Sequence, residues 1–208
     1  MERMTRTDGM PPMEPTVDYE KLNALYAEVT HCTNRLNDTE SYLLAAAQGG
    51  APVSDKVKQD RMECTIRIRE CALEIARLEG REAGFTELDV AKERKKMEIS
   101  LYDQSAEVNS FTLQGKTIWL PKSTRVGLAN SIAIEKAARK ETTTLWYDGV
   151  KYDLPIAAAQ QMLSDLELYA LACYNVTQQH LAAVDKLSDA STVEKYNYKT
   201  GYPEKLTL

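Results

Sequence analysis

Two heptad-spaced apolar runs, separated by a short turn segment, constrain the first part of this chain more than any other feature. The turn segment, Gly-Gly-Ala-Pro at 49–52, favours a chain reversal because glycine frees the backbone and proline resists helix continuation. If the runs fold back on each other, the numbers of facing residues sum to 100 in every layer. The sequence therefore predicts an antiparallel coiled-coil hairpin over residues 18–82. Its seams are Leu22, Leu25, Val29, Cys32, Leu36, Thr39 and Leu43, and Val57, Arg61, Cys64, Ile68, Cys71, Ile75 and Leu78.

Local sequence signals support this hairpin, but they do not show whether it packs on the rest of the chain. Asp18 is suited to cap the first helix, and Thr39 opposite Arg61 forms a single polar layer that is expected to fix the register. The faces opposite the seams are highly charged. Two interpretations stay open, a protruding arm and a plain helical pair that packs on the rest of the chain.

The segment before the hairpin, residues 1–17, is predicted to be a disordered leader. It contains arginines but no apolar stretch that would make a targeting signal, so we expect the chain to stay in the cytoplasm where it is made. The four cysteines of the chain are then interpreted as reduced, buried small hydrophobic residues.

The second half of the chain contains an internal repeat. Residues 111–121 and 145–155 align without a gap, and each contains a two-residue turn that ends in glycine, Gln114-Gly115 and Asp148-Gly149. Each repeat continues through Leu-Pro into a helix pattern. We therefore predict two ββα units, at 110–140 and 144–188, preceded by a helix that starts at Thr86 with a capping box to Asp89. The fold class is α+β and mostly helical, with one module over 86–188.

The last helix is predicted to be long and to carry an apolar stripe from Ile156 to Leu187. Two short hairpins cannot cover such a stripe, so its distal half is expected to meet the first hairpin, a second subunit or a partner protein. The tail, 189–208, is rich in tyrosine and is either a docking strap or a segment folded on its own domain. The candidate protein-interaction residues are Tyr169, Val184, Leu187, Tyr196, Tyr198 and Tyr202.

Motifs that carry chemistry are not found in the sequence. Cys173 and His180 share a helix face but lie two turns apart, which is too far for a catalytic pair, and His180 is interpreted as a satisfied core histidine. The net charge of -5 gives no basic field for nucleic acid or membrane, and the basic run from Lys92 to Lys96 is interpreted as a solvated face. We predict no enzyme activity, no cofactor and no metal site.

The stretch from about Lys92 to Leu208 resembles a domain of unassigned function in tailed bacteriophages and prophages, encoded among tail and tail-fibre genes. The similarity lies in SLYDQSAEVNSF, TIWLPKSTRVGLANSIAIEKAA, TTLWYDGVKYDLP, LELYALACYNVTQQHLAAV and YNYKTGYPEKL. The resemblance implies a virion structural protein of the tail, baseplate or fibre-attachment region that contacts other phage structural proteins or copies of itself. The alternative is a tail-fibre assembly chaperone that is not part of the virion. In either case the chain is made in the host cytoplasm.

Overall fold

The computed structural model describes residues 18–49 and 53–208, so the predicted leader and the tip of the turn segment lie outside the described residues. The fold is α+β and mostly helical, with two separate two-stranded antiparallel sheets. The elements are α1 Tyr19–Gly49, α2 Asp55–Leu78, α3 Glu87–Asp103, α4 Ala106–Asn109, β1 Phe111–Leu113, β2 Lys116–Ile118, α5 Lys122–Ala137, β3 Thr142–Tyr147, β4 Val150–Pro155, α6 Ile156–Lys186 and α7 Ala190–Glu194.

The chain divides into two compact units, and two of the three boundaries between them lie inside helices, in α2 and in α3. The first unit takes the described part of Met1–Val53 with Asp60–Val90, and the second takes Ser54–Gln59 with Ala91–Leu208. No helix among the described residues combines the length and the apolar character needed to cross a membrane.

In the first unit, α1 and α2 run antiparallel. Their small core consists of Leu22, Leu25, Cys71 and Ile75, with Val29 and Leu78 packed against it. Three ion pairs join the helices in reversed sequence order: Lys21–Glu74 at 2.5 Å, Glu28–Arg67 at 2.6 Å and Arg35–Asp60 at 3.1 Å. The two residues of the expected polar layer, Thr39 and Arg61, each bond a different residue. Arg61 Nε donates to Glu40 Oε1 at 2.5 Å, and the Thr39 hydroxyl donates to the Arg35 carbonyl.

Both predicted helix caps in the first unit are present. The backbone N–H of Lys21 donates to Asp18 Oδ1 at 2.9 Å, which satisfies one of the free donors at the start of α1. At the start of α3, the Thr86 N–H donates to Asp89 Oδ2 at 2.8 Å and the Asp89 N–H donates to Thr86 Oγ1 at 3.2 Å. This reciprocal pair is the capping box that the sequence predicts.

In the second unit, each two-stranded sheet is a tight hairpin that leads into a helix. Phe111 pairs with Ile118 in the first hairpin, and Tyr147 pairs with Val150 in the second. Both turn residues of each hairpin have positive φ, at Gln114-Gly115 and Asp148-Gly149, as their sequences predict. Helices α5 and α6 start directly after Pro121 and Pro155, and α6 packs against α5, β3 and β4.

The main core of the second unit lies between the inner faces of the hairpins and helices α5 and α6. Alternate strand residues and one stripe of each helix supply it, as expected for half-buried strands and amphipathic helices. Buried members include Phe111, Ile118, Leu145, Tyr152, Ile132, Leu163 and Leu166.

The distal half of α6 contacts α3 of the same chain, which was not among the three expected coverings, the first hairpin, a second subunit or a partner protein. Val184 is completely buried. Next to it, the carbonyl of Asp185 accepts a hydrogen bond from Lys92 Nζ at 2.8 Å, and its carboxylate forms an ion pair with Lys96. The basic run of α3 is therefore not a solvated face, because these lysines bind the C-terminal end of α6, where a helix favours positive charge.

The tyrosine-rich tail is also folded on the second unit. Thr112 N–H donates to the Leu206 carbonyl at 2.9 Å and Leu208 N–H donates to the Thr112 carbonyl at 2.8 Å, so the end of the chain joins the edge of β1 in a parallel bridge. The rings of Tyr198 and Tyr202 meet Tyr102 edge-on, with centroids 5.7 and 5.4 Å away. Of the two predicted arrangements, the structure shows the tail on its own domain.

Candidate binding cleft in the second unit

One open cleft of about 570 Å³ lies within the second unit, and we call it the Trp119 cleft. The start of α5, the middle of α6 and the connection from α3 to α4 form its walls, and Lys58 at the start of α2 also lines it. Its lining includes Trp119 and Tyr174 together with the polar side chains of Asp103, Gln104, Asn109, Lys122, Arg125 and Glu167. Its volume falls within the range of about 300–1,000 Å³ that is usual for ligand sites.

The cleft has a fixed charged wall at the start of α5. Arg125 lies in the first turn, on the face of α5 that also carries the buried Ile132, and only 9% of it is exposed. Its Nη1 donates to the Leu120 carbonyl at 2.8 Å, and its Nε donates to Glu167 Oε1 on α6 at 2.7 Å. Charge-assisted bonds of this kind hold the guanidinium in one orientation.

Another part of the lining is held by a hydrogen-bond network around Asp103, the last residue of α3. Its Oδ1 accepts from Thr177 Oγ1 of α6 at 2.8 Å, and Thr177 also bonds the Tyr202 hydroxyl at 2.9 Å. The Asn109 amide donates to the backbone carbonyls of Asp103 and Ser105. This network connects the α3–α4 connection and the tail to the buried face of α6.

The aromatic residues of the cleft come from different elements. Trp119 is half-buried, and its backbone N–H donates to the Tyr147 hydroxyl of β3 at 3.3 Å. Tyr174, on α6, is 53% exposed, and neighbouring Leu171 is 56% exposed. Both aromatic rings therefore remain accessible at the cleft, whereas the buried stripe of α6 faces the other way.

Below this part of α6, a buried cluster contains Tyr169, Cys173 and Val108. The Tyr169 hydroxyl donates to the Val108 carbonyl at 2.6 Å. Burial raises the pKa of the Tyr169 hydroxyl far above its ordinary value, and it also raises the pKa of the Cys173 thiol. Both groups are therefore neutral near pH 7, and their role in the structure is packing.

The structure does not bring the six candidate interaction residues together on one surface. Tyr169 and Val184 are buried, and Leu187 is half-buried at the end of α6. The tail residues Tyr196, Tyr198 and Tyr202 are half-buried and contact side chains of their own unit.

His180 is a satisfied structural histidine, as the sequence predicts. Its Nε2 lies 2.9 Å from the Thr200 carbonyl, so this nitrogen carries the proton and donates it. Its Nδ1 forms a hydrogen bond of 2.8 Å with the Tyr196 hydroxyl. The imidazole thus connects α6 to the tail.

The residues of the Trp119 cleft were not among the sequence-based candidates. Glu167 belongs to a polar face of α6, and the structure shows that it also holds Arg125. The available signal was weak: a tryptophan directly before a Leu-Pro helix start, with an arginine one turn later. Within residues 18–49 and 53–208, no group of three or more His, Cys, Asp or Glu side chains is placed to hold a metal ion.

Comparisons with protein-family models, with curated proteins and with solved structures gave no match for this chain.

Proposed function

We propose that this chain is a structural protein of a tailed-phage virion, in the tail, baseplate or fibre-attachment region, and that it acts by protein–protein contact without catalysis. The resemblance of about residues 92–208 to a phage tail-associated domain supports this assignment. In this proposal the chain is made in the host cytoplasm, assembles with other phage structural proteins or with copies of itself, and contacts neither nucleic acid nor membrane.

The observation that carries the proposal is the set of large apolar side chains exposed on the second unit. Ile134 is 70% exposed, Leu168 67%, Trp146 64% and Val126 49%, although this unit has a well-formed core. Val126 and Leu168 directly follow the two residues of the Arg125–Glu167 ion pair, which joins α5 to α6. Large apolar side chains that stay exposed on a folded unit are candidates for burial against a partner protein.

Two finer features belong to the same proposal. The α1–α2 pair is proposed to be a coiled-coil arm, which is supported by its heptad seams and by the ion pairs between its helices. The two hairpin–helix segments are proposed to be a duplicated ββα module, which is supported by their gapless alignment and matching turn conformations. Duplication would supply similar surfaces for assembly.

Mass spectrometry of purified particles tests the proposal. We expect the chain at stoichiometric levels in the particles. If it is absent from particles but bound to unassembled tail fibres in the lysate, the chaperone alternative replaces the proposal.

A matched pair of variants tests which surface mediates incorporation into particles. Leu168→Asp places a charge at one of these exposed apolar positions, and Leu44→Asp changes a leucine of similar exposure, 62%, on α1. We expect Leu168→Asp to reduce incorporation into particles and Leu44→Asp to leave it unchanged, with both variants retaining the helical signal in circular dichroism. The reverse result would contradict an assembly surface on the second unit.

A further inference from the structure

We propose that the Trp119 cleft is a binding site for a neutral saccharide. This inference concerns a ligand site rather than assembly, and it stands on the cleft alone, whether or not the chain is part of a virion. It follows from three properties of the lining: accessible aromatic rings, hydrogen-bonding groups of both kinds, and fixed geometry.

The aromatic rings provide the apolar part of the site. Trp119 is half-buried and Tyr174 is 53% exposed, so each ring is anchored in the fold yet accessible at the cleft. Such side chains combine a flat apolar surface with a polar edge. A pyranose ring has the matching property, because its C–H groups form apolar patches while its hydroxyl groups project from the edge.

The polar lining contains both donors and acceptors. The carboxylates of Asp103 and Glu167 accept, the side chains of Arg125 and Lys122 donate, and the Gln104 amide does both. A hydroxyl group donates one hydrogen bond and accepts others, so a polyhydroxylated ligand can satisfy every one of these groups.

The same chemistry disfavours other classes of ligand. A purely apolar ligand would remove the polar groups from water without giving them partners, which costs binding free energy. The two carboxylates of the cleft lie beside three cationic side chains, Lys58, Lys122 and Arg125, so the charges nearly balance and give a strongly anionic ligand little net attraction. A neutral molecule with both an apolar face and many hydroxyl groups has neither disadvantage, and that description fits a saccharide.

Several polar groups are already held in place while part of their bonding capacity is left over. Arg125 uses Nε for Glu167 and Nη1 for Leu120, so three of its five N–H groups are not used in these two contacts. Asp103 Oδ1 accepts from Thr177 and Glu167 Oε1 accepts from Arg125, which leaves Oδ2 and Oε2 outside these bonds. Such preorganisation lowers the entropy cost of binding.

The first experiment is a glycan array probed with the full-length, fluorescently labelled chain. We expect hits among the neutral glycans, with binding that does not fall as the salt concentration rises. An array without hits would overturn the proposal, and it is the result expected if the cleft binds a peptide. Hits confined to acidic glycans, with binding that is lost in salt, would overturn it as well.

The second experiment locates the binding. The chain has two tryptophans, so Trp146→Phe leaves Trp119 as the single indole fluorophore. We expect titration of a neutral array hit to change Trp119 emission. In the same background, Tyr174→Ala should weaken binding by about tenfold through loss of one stacking surface. The control Tyr42→Ala changes a tyrosine of similar exposure, 48%, in the first unit and should bind unchanged.

Both tyrosines are exposed, so circular dichroism should show the same fold in the two variants. Binding that is equal in Tyr174→Ala and Tyr42→Ala, or that leaves Trp119 emission unchanged, would place any saccharide outside the cleft and refute the assignment.

Discussion

Truncation of Ile118 provides a quantitative test of the second unit's core. Ile118 ends β2, is completely buried and belongs to the main cluster between the hairpins and helices α5 and α6. Ile118→Ala removes three carbons, which costs about 2.4 kcal/mol in transfer free energy at about 0.8 kcal/mol for each. The cavity left behind raises the expected loss of unfolding free energy to about 3–4 kcal/mol.

Ile134→Ala is the matched control because the residue type and the truncation are the same. Ile134 lies on α5 and is 70% exposed, so about 0.3 of the transfer term applies, or about 0.7 kcal/mol. Alanine is also the better helix former, which offsets part of this loss. We expect a net change of about 0.5 kcal/mol or less.

Urea unfolding monitored by tryptophan emission measures both variants. Trp119 and Trp146 lie in the second unit, so the signal reports the unfolding of that unit. We expect a lower midpoint with an unchanged slope for Ile118→Ala. Equal midpoints for the two variants, or a loss below about 1 kcal/mol for Ile118→Ala, would refute the burial argument.

Three further predictions concern charge and backbone conformation. The hydrogen bond from Arg67 lowers the pKa of the Glu28 carboxyl in the folded state. The pair therefore stabilises the folded state fully above the unfolded pKa of about 4.3. This stabilisation is lost as the pH falls through the lowered folded pKa. Acid thermal unfolding monitored by circular dichroism should therefore depend less on pH in Glu28→Gln, and an identical pH profile would exclude this role. Gly149 has a φ of +72°, so Gly149→Ala should lower the unfolding free energy by about 1 kcal/mol, and an unchanged urea midpoint would contradict the strain argument. With a net charge of -5, the chain should show no salt-sensitive affinity for DNA in fluorescence anisotropy, and micromolar binding at physiological salt would contradict this expectation.

The helix caps and hairpin turns were predicted correctly because they depend on interactions between residues close in sequence. A cap such as Asp18 and a turn such as Asp148-Gly149 each act within four residues, so their outcome depends on the neighbouring chain alone. Both are present in the structure. The mostly helical α+β class follows from the same short-range periodicities.

Contacts between distant segments were harder to predict. The end of the chain pairs with β1 through backbone groups of Leu206 and Leu208, and such groups leave no trace in the side-chain pattern. The lysines of α3 look solvated by composition, yet Lys92 and Lys96 bind Asp185 in another helix. These contacts come from α3, whereas the apolar stripe alone suggested the first hairpin, a second subunit or a partner protein as the covering of the distal part of α6.

The Trp119 cleft shows why a site of this kind is not visible as a motif. Its members come from the start of α2, from α3 and α4, from the segment before α5, from α5 itself and from α6, and each has a local explanation when read alone. Arg125 is one residue of a helix start and Glu167 is one residue of a polar helix face until the pairing of α5 with α6 joins them at 2.7 Å. That ion pair satisfies only part of each group, so the packing of the two helices both builds the cleft wall and leaves hydrogen-bonding capacity on it. The capacity to bind a ligand thus arises from tertiary contacts that a spacing rule does not encode.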